Sequence, residues 1–120
     1  MKLNYITIFV KNLEKTLHFY TELVNLKVMN RIHLPQGEIA FCTNKEEEET
    51  MLEFIQFPHV KPIHTSHMIF SFLTDISLEL LREQMISLGY TPSEIINQPP
   101  KPPYLKVHDP NGIEIEFTQK

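Results

Sequence analysis

The alternation of apolar and polar positions divides this chain of 120 residues into two successive blocks with the same pattern. Each block begins with an alternating stretch, continues with apolar residues at helical spacing, and ends with three short alternating stretches. The pattern therefore predicts the order β-α-β-β-β twice. The predicted strands cover residues 4–10, 26–34, 38–43 and 51–57 in the first block, and 66–73, 94–97 (the weakest pattern), 104–108 and 112–118 in the second.

The two predicted helices carry recognisable end signals. Asn12 is a favoured N-cap for the first helix, whose sequence is "NLEKTLHFYTELVN". In the second, "DISLELLREQMISLG", either Asp75 or Ser77 can cap the start. Gly89 fits the end of this helix, because glycine readily adopts the left-handed conformation that follows a helix.

A proline-rich stretch separates the two blocks. The segment "PHVKP" cannot sustain a central strand, because its prolines lack the N–H that a sheet requires. We therefore assign residues 1–120 to one domain with modules 1–57 and 66–120 and a linker over 58–65. A second such stretch, "QPPKPP" (98–103), predicts a stiff connection between strands in preference to a ligand for an SH3-type module.

The two blocks share residues as well as the order of their predicted elements. "LEFIQ" (52–56) can be laid over "IEFTQ" (115–119) with a constant shift of 63 positions, which brings Glu53 onto Glu116. The repeat indicates a duplicated module.

Composition is that of an ordinary globular protein, with 42% hydrophobic and 22% charged residues. The net charge of −4 gives no sequence-wide basic field for nucleic acid or an anionic membrane. The acidic run "KEEEET" (45–50) predicts a solvated loop, because adjacent like charges repel.

The single cysteine and the N-terminal sequence bear on location. Cys42 has no partner for an internal disulfide and lies in an apolar stretch, so we expect a small buried residue in a reducing compartment. The first residues lack the apolar run of a signal peptide, and no stretch approaches the ~20 apolar residues of a membrane span. We expect a cytoplasmic protein with no membrane partner.

Glutamates occur on two predicted strands that are otherwise rich in apolar residues. Successive side chains on a strand point to opposite faces, so Glu114 and Glu116 lie opposite the apolar residues of the last strand. Glu53 shares its face with Met51, Ile55 and Phe57. A carboxylate among bulky apolar side chains is costly to bury without a partner.

The candidate partners of Glu53 are His67, Glu116 and a metal ion. Two carboxylates and an imidazole that converge would suit a divalent cation. The alternative is that the glutamates face water and that His67 makes a local hydrogen bond. His33 and His108, which border predicted strands, are further candidates for the mouth of such a site.

The segments "ITIFVKNLEKTLHFYTELVNLKV" (6–28) and "DPNGIEIEF" (109–117) resemble the vicinal oxygen chelate superfamily. That superfamily includes glyoxalase I, bleomycin-resistance proteins, fosfomycin-resistance enzymes, extradiol dioxygenases and methylmalonyl-CoA epimerase. The resemblance implies an α+β fold in which two βαβββ modules form a curled mixed sheet, or cup, around a metal or ligand. It also implies a homodimer, for which exchange of modules between the two chains is one arrangement.

The resemblance further implies a metal site. Glu53, His67 and Glu116 match the positions that bind the metal in bacterial-type glyoxalase I, and the ion would be Ni, Zn, Mn or Fe. The first-strand position, usually histidine, is Tyr5 here. Phenols ligate poorly unless a metal forces their ionisation. This departure disfavours dioxygenase and fosfomycin-type chemistry, which use the first-strand histidine.

Two functional hypotheses follow from the resemblance. The first is a metal-dependent lyase or isomerase that acts on a small carbonyl or thiol-conjugate substrate and stabilises an enediolate-like anion. Glu53 or Glu116 would be the base, and Tyr5 would donate a hydrogen bond to the oxyanion. The predicted pocket wall comprises Phe9, Phe41, Met51, Ile55, Phe57 and Tyr104.

The second hypothesis is a metal-free protein of the bleomycin-resistance type that sequesters a small molecule. In that case the glutamates would pair with a cationic ligand.

Overall fold

The computed structural model describes residues 1–44 and 49–120, which form two units, Met1–His64 (unit 1) and Thr65–Lys120 (unit 2). The boundary between them falls within the predicted linker over 58–65. Most of the predicted acidic loop lies outside the described residues. No helix in the described part of the chain is long and apolar enough to cross a membrane.

Unit 1 contains four strands and one helix in the predicted order. The elements are β1 (Tyr5–Phe9), α1 (Leu13–His18) with a π-helical continuation (Phe19–Leu23), β2 (Lys27–Leu34), β3 (Gly37–Thr43) and β4 (Met51–Gln56). The sheet order is β1-β4-β3-β2. Strand β1 is parallel to β4, and the other neighbours are antiparallel. The parallel pair arises because the chain crosses over through α1 before it returns to the sheet.

Two side chains satisfy the free N–H groups at the start of α1. Asn12 Oδ1 accepts a hydrogen bond from the Lys15 N–H at 2.9 Å, as its N-cap role predicts. Gln56 Oε1, at the end of β4, accepts from the Leu13 N–H at 2.6 Å. The helix is therefore anchored to the sheet by a polar contact as well as by its apolar face.

The predicted first helix changes its hydrogen-bonding pattern after His18. The Val24 N–H bonds to the Phe19 carbonyl at 3.2 Å, which is the i→i+5 spacing of a π-helical turn. Asn25 follows with a φ of 67°, the left-handed conformation that commonly ends a helix.

The turn between β2 and β3 requires glycine. Gly37 has a φ of 147°, and a Cβ atom there would lie 2.1 Å from the carbonyl oxygen of Gln56. No side chain fits this close approach of two backbones.

Unit 2 repeats the plan with one strand fewer. It contains β5 (Ile69–Thr74), α2 (Leu78–Ser87), β6 (Tyr104–His108) and β7 (Glu114–Gln119), in the sheet order β5-β7-β6. Strand β5 is parallel to β7, and β6 is antiparallel to it. Ser77, and not Asp75, caps α2, because its hydroxyl accepts from the Leu80 N–H at 3.2 Å.

The predicted strand over 94–97 is wrong. Within the described residues this segment makes only an isolated bridge, in which Ile96 pairs with Tyr104. Prolines on both sides of the segment, at positions 92, 99 and 100, remove the donors that a longer ladder would need.

Each unit packs its helix on the apolar face of its own sheet. In unit 1 the fully buried Leu13, Phe19 and Tyr20 pack with side chains of the sheet such as Phe54, whose ring centroid lies 4.8 Å from that of Tyr20. The core of unit 2 contains Leu78, Leu81, Met85, Leu105, Val107, Ile113, Ile115 and Phe117. This packing directs the opposite faces of the sheets, which carry Glu53 and Glu116, away from the helices.

Candidate functional site

An Asx-type turn fixes the start of β7. The buried Asp109 accepts hydrogen bonds from the N–H groups of Asn111 and Ile113, at 2.8 and 2.9 Å. Gly112 adopts a φ of 84°, which favours glycine at that position. The turn therefore sets which residues of β7 face away from the core, and these include Glu114 and Glu116.

Glu116 is buried and carries its own cationic partner. Only 10% of its side chain is exposed, and Lys101 Nζ donates a hydrogen bond to its Oε2 at 2.7 Å. On the neighbouring strand β5, Ser71 lies directly opposite and its Oγ is 3.4 Å from Oε1. A buried carboxylate needs such compensation, and the lysine supplies it.

Lys101 reaches Glu116 from the proline-rich segment 98–103. Its Nζ also lies 4.0 Å from the ring centroid of Tyr104, within the range of a cation–π interaction. The hydrogen bond to the Glu116 carboxylate raises the pKa of the Lys101 ammonium. Lys101 is a site residue that the sequence pattern does not predict. The feature of the sequence that could have indicated Lys101 is that it is a single basic residue among prolines, shortly before β6, the strand next to β7.

A second lysine lies on the same face of unit 2. Lys106 on β6 is opposite Glu116 in the strand register, and its Nζ lies 3.5 Å from Oε1 of Glu114. His108 is opposite Glu114. The face therefore combines two carboxylates with two ammonium groups.

Glu53 in unit 1 has a different partner. Its half-buried carboxylate accepts a hydrogen bond from the hydroxyl of Thr7, which is directly opposite on β1. No cationic side chain pairs with Glu53 in the described part of the chain. Among the described residues, the polar partner of Glu53 is thus a neutral hydroxyl, whereas that of Glu116 is an ammonium group.

The predicted wall residues of unit 1 lie on or beside the face that carries Glu53. Tyr5 and Phe9 share this face of β1, and Phe41 on β3 is opposite Glu53. The rings of Tyr5 and Phe41 are 5.7 Å apart, and those of Phe9 and Phe57 are 6.2 Å apart. Met51 and Ile55 flank Glu53 on β4 and point to the same face of the strand. In unit 2, the predicted wall residue Tyr104 is half-buried beneath Lys101.

His67 is not on a strand, so its predicted position on the fifth strand is wrong. It lies in a bend before β5, is exposed, and has its Nδ1 2.9 Å from Ser66 Oγ. Pairing with β7 starts only at Ile69, opposite Glu114, because the turn at 109–112 precedes that point.

Within unit 2, the register separates His67 from Glu116. Ser71 is the residue opposite Glu116, and His67 precedes it by four positions, in the bend before β5. His67 instead lines an open cavity of about 440 Å³ together with His108, Gly112 and Glu114. Across the described residues, neither unit holds a group of three His, Cys, Asp or Glu side chains suited to a metal.

Cys42 is buried, as its sequence context predicts. Its exposure is 0%, and burial raises the pKa of the thiol to about 11. The thiolate, which is the nucleophilic form, is therefore scarce at neutral pH. The chemistry of this residue is that of a core side chain.

Comparison with known proteins extends these observations. The chain is 27% identical over 123 residues to the protein YwbC of Bacillus subtilis (strain 168), across 99% of this chain and 98% of that one. It is similar in structure to the trypanothione-dependent glyoxalase I of Leishmania major, with a TM-score of 0.81, 19% identity, and coverage of 99% and 86%.

It is also similar in structure to TnmS3, an antibiotic binding protein from Streptomyces sp. CB03234, with a TM-score of 0.77, 20% identity, and coverage of 99% and 95%. Identities this low establish the fold alone. The sequence profile of the Glyoxalase/Bleomycin resistance protein/Dioxygenase superfamily matches residues 2–117. With its two repeated units of mixed sheet and helix, the chain belongs to this superfamily.

Proposed function

We propose that the chain is a small-molecule-binding member of this superfamily that uses no metal at Glu116. The observation that carries the proposal is the ion pair between Lys101 and Glu116, at 2.7 Å. A metal ligand must offer its carboxylate to the ion, and here the protein's own ammonium already occupies that carboxylate. The proposed binding surface is the face of unit 2 that carries Lys101, Tyr104 and Glu116.

Metal content tests the proposal directly. The protein is purified without chelator, its bound transition metals are measured, and its melting temperature is recorded with EDTA and with added Mn²⁺, Ni²⁺ or Zn²⁺. We expect no stoichiometric metal and no metal-dependent rise in melting temperature. We also expect some small organic molecules to raise the melting temperature in the presence of EDTA.

A matched variant separates specific from adventitious metal. Glu94 is a suitable control because it is also a glutamate paired with a cation, Arg82 at 3.0 Å, but its side chain is 89% exposed. Stoichiometric metal that is lost in Glu116→Ala and retained in Glu94→Ala would contradict the proposal.

A second candidate function, a lyase or isomerase, is favoured by the environment of Glu53. Since the partner of Glu53 among the described residues is the neutral hydroxyl of Thr7, its carboxylate can accept a proton from a carbon acid. The Tyr5 phenol, on the same face, would donate a hydrogen bond to the oxyanion that forms.

The discriminating assay follows the exchange of the substrate's α-proton with solvent for a panel of small carbonyl compounds and thiol conjugates. If the chain is an enzyme, exchange will be lost in Glu53→Gln and retained in Glu94→Gln. Absence of exchange across the panel, together with ligand binding in EDTA, favours the binding function. The homodimer implied by the resemblance stays a prediction, which light scattering on the purified protein tests.

A further inference from the structure

We infer that the ligand of this protein carries an anionic group, a carboxylate or a phosphate, and that Lys101 binds that group. The inference rests on the proposed binding function and concerns the face of unit 2 formed by Ser71, Tyr104, Lys106, Glu114 and Glu116. We call this surface the Glu116 face.

The paired charges on the Glu116 face differ in exposure. The side chains of Glu116 and Glu114 are 10% and 26% exposed, whereas those of Lys101 and Lys106 are 46% and 37% exposed. In each ion pair the lysine side chain is therefore more exposed than the glutamate. A ligand that approaches this face can reach the two lysines more readily than the carboxylates that pair with them.

The ammonium of Lys101 is held in place, and not all of its N–H donors point at Glu116. A lysine ammonium has three N–H donors, and one of them is directed at Glu116 Oε2. The Tyr104 ring lies against the same group at 4.0 Å. In the part of the chain that the structure describes, no other carboxylate pairs with Lys101, so a donor is left for an incoming oxyanion. Lysine binds such groups as a point charge.

A cationic ligand is the less favourable occupant. To reach Glu116 it would have to displace the Lys101 ammonium from a carboxylate that is largely withdrawn from water. The glutamate then acts as a positioning residue: it fixes the ammonium where the ligand's anionic group is bound.

Matched probe sets test the inference. Aliphatic and aromatic carboxylic acids and phosphate monoesters are compared with the corresponding amides, alcohols and amines, and binding is measured by calorimetry in EDTA at neutral pH. We expect the anionic member of a set to bind at least about tenfold more tightly than its neutral counterpart. The carboxylate and phosphate arms identify which oxyanion is preferred.

Variants assign the effect to Lys101. Lys101→Met should weaken anion binding about tenfold or more, and Lys101→Arg should preserve most of it. Lys101→Met/Glu116→Gln removes both charges together, so it leaves no unpaired buried carboxylate and should show the same loss of binding. Lys120→Met is the control, because Lys120 also faces a carboxylate of unit 2, Asp75 at 3.7 Å, with both side chains exposed.

The outcomes distinguish failure of the anionic-ligand inference from failure of the proposed binding function. If neutral or cationic probes bind as tightly as anions, or if Lys101→Met/Glu116→Gln binds anions normally, the inference is wrong and the binding function stands. If no small molecule binds the wild-type protein in EDTA, both the inference and the proposed function fail.

Discussion

The two units hold the same glutamate in different ways. In each unit the glutamate lies beside a parallel strand whose opposite residue bears a hydroxyl group, Thr7 for Glu53 and Ser71 for Glu116. Among the residues that the structure describes, Glu116 alone of these two also pairs with a cation, which comes from Lys101 in the segment before β6. The repeat therefore maintains the backbone position of the carboxylate, while a connecting segment supplies the cation that pairs with it in unit 2.

Other residue pairs related by the shift of 63 positions either keep the same role in both units or differ between them. Phe54 and Phe117 are both buried, at 0% and 2% exposure, so their roles match. Gln56 bonds to the first N–H of α1, whereas Gln119 is exposed. Equivalence is strongest in the core and weakest where a side chain depends on elements outside the sheet.

The core pair should show the largest effects. Phe54→Ala and Phe117→Ala each remove a buried ring, and we expect each to lower the free energy of unfolding by about 3–5 kcal/mol. Urea denaturation followed by circular dichroism measures the change. Leu80→Ala is a control, because Leu80 is 55% exposed and should cost far less. A loss below about 1 kcal/mol for either phenylalanine would mean that the cores are not equivalent.

The glutamate pair should show an unequal loss. Thr7→Val removes a hydrogen bond to Glu53 at an exposed position, for which we expect a cost of about 1 kcal/mol or less. Lys101→Met leaves the buried Glu116 carboxylate without its cation, so its melting temperature should fall further than that of Thr7→Val.

Glu116→Gln in the Lys101→Met background should recover part of the lost stability, because a neutral amide is less costly to bury than an unpaired carboxylate. Thermal unfolding of the single and double variants measures this coupling. Equal melting temperatures for Thr7→Val and Lys101→Met would contradict the difference that the two environments imply.

The alternation of side chains predicts the faces and most of the strands, because pleating and helical spacing are local properties. It predicts that Glu116 points to the other face of its strand from Ile115 and Phe117. The sequence also predicts Ser77 as a candidate N-cap. It cannot predict where a strand stops pairing. His67 continues the alternating pattern of β5, but the turn at 109–112 ends the ladder before reaching it.

The same limit applies to the partner of Glu116. The alternation of the strands suggests only that Glu116 could meet Glu53, His67 and a metal ion. Lys101 is fifteen positions away along the chain and comes into contact only because β6 and β7 are adjacent. A partner supplied by a loop carries no periodic signal, so only the folded structure identifies it.

The glutamine pair gives the smallest effect and the sharpest test of divergence between the units. Gln56→Ala leaves the N–H of the buried Leu13 without its acceptor, which should lower the free energy of unfolding by about 1 kcal/mol. Gln119→Ala changes an exposed side chain that makes no hydrogen bond within the described residues, so the change should stay within about 0.5 kcal/mol. Amide hydrogen exchange at Leu13 distinguishes a lost cap from a general loss of stability, because exchange there should accelerate more than at Ile8 in the middle of β1. If both glutamine variants have the same stability and the same exchange at Leu13, the side chain of Gln56 is not what anchors α1 to β4, and the units are more alike than their hydrogen bonds indicate.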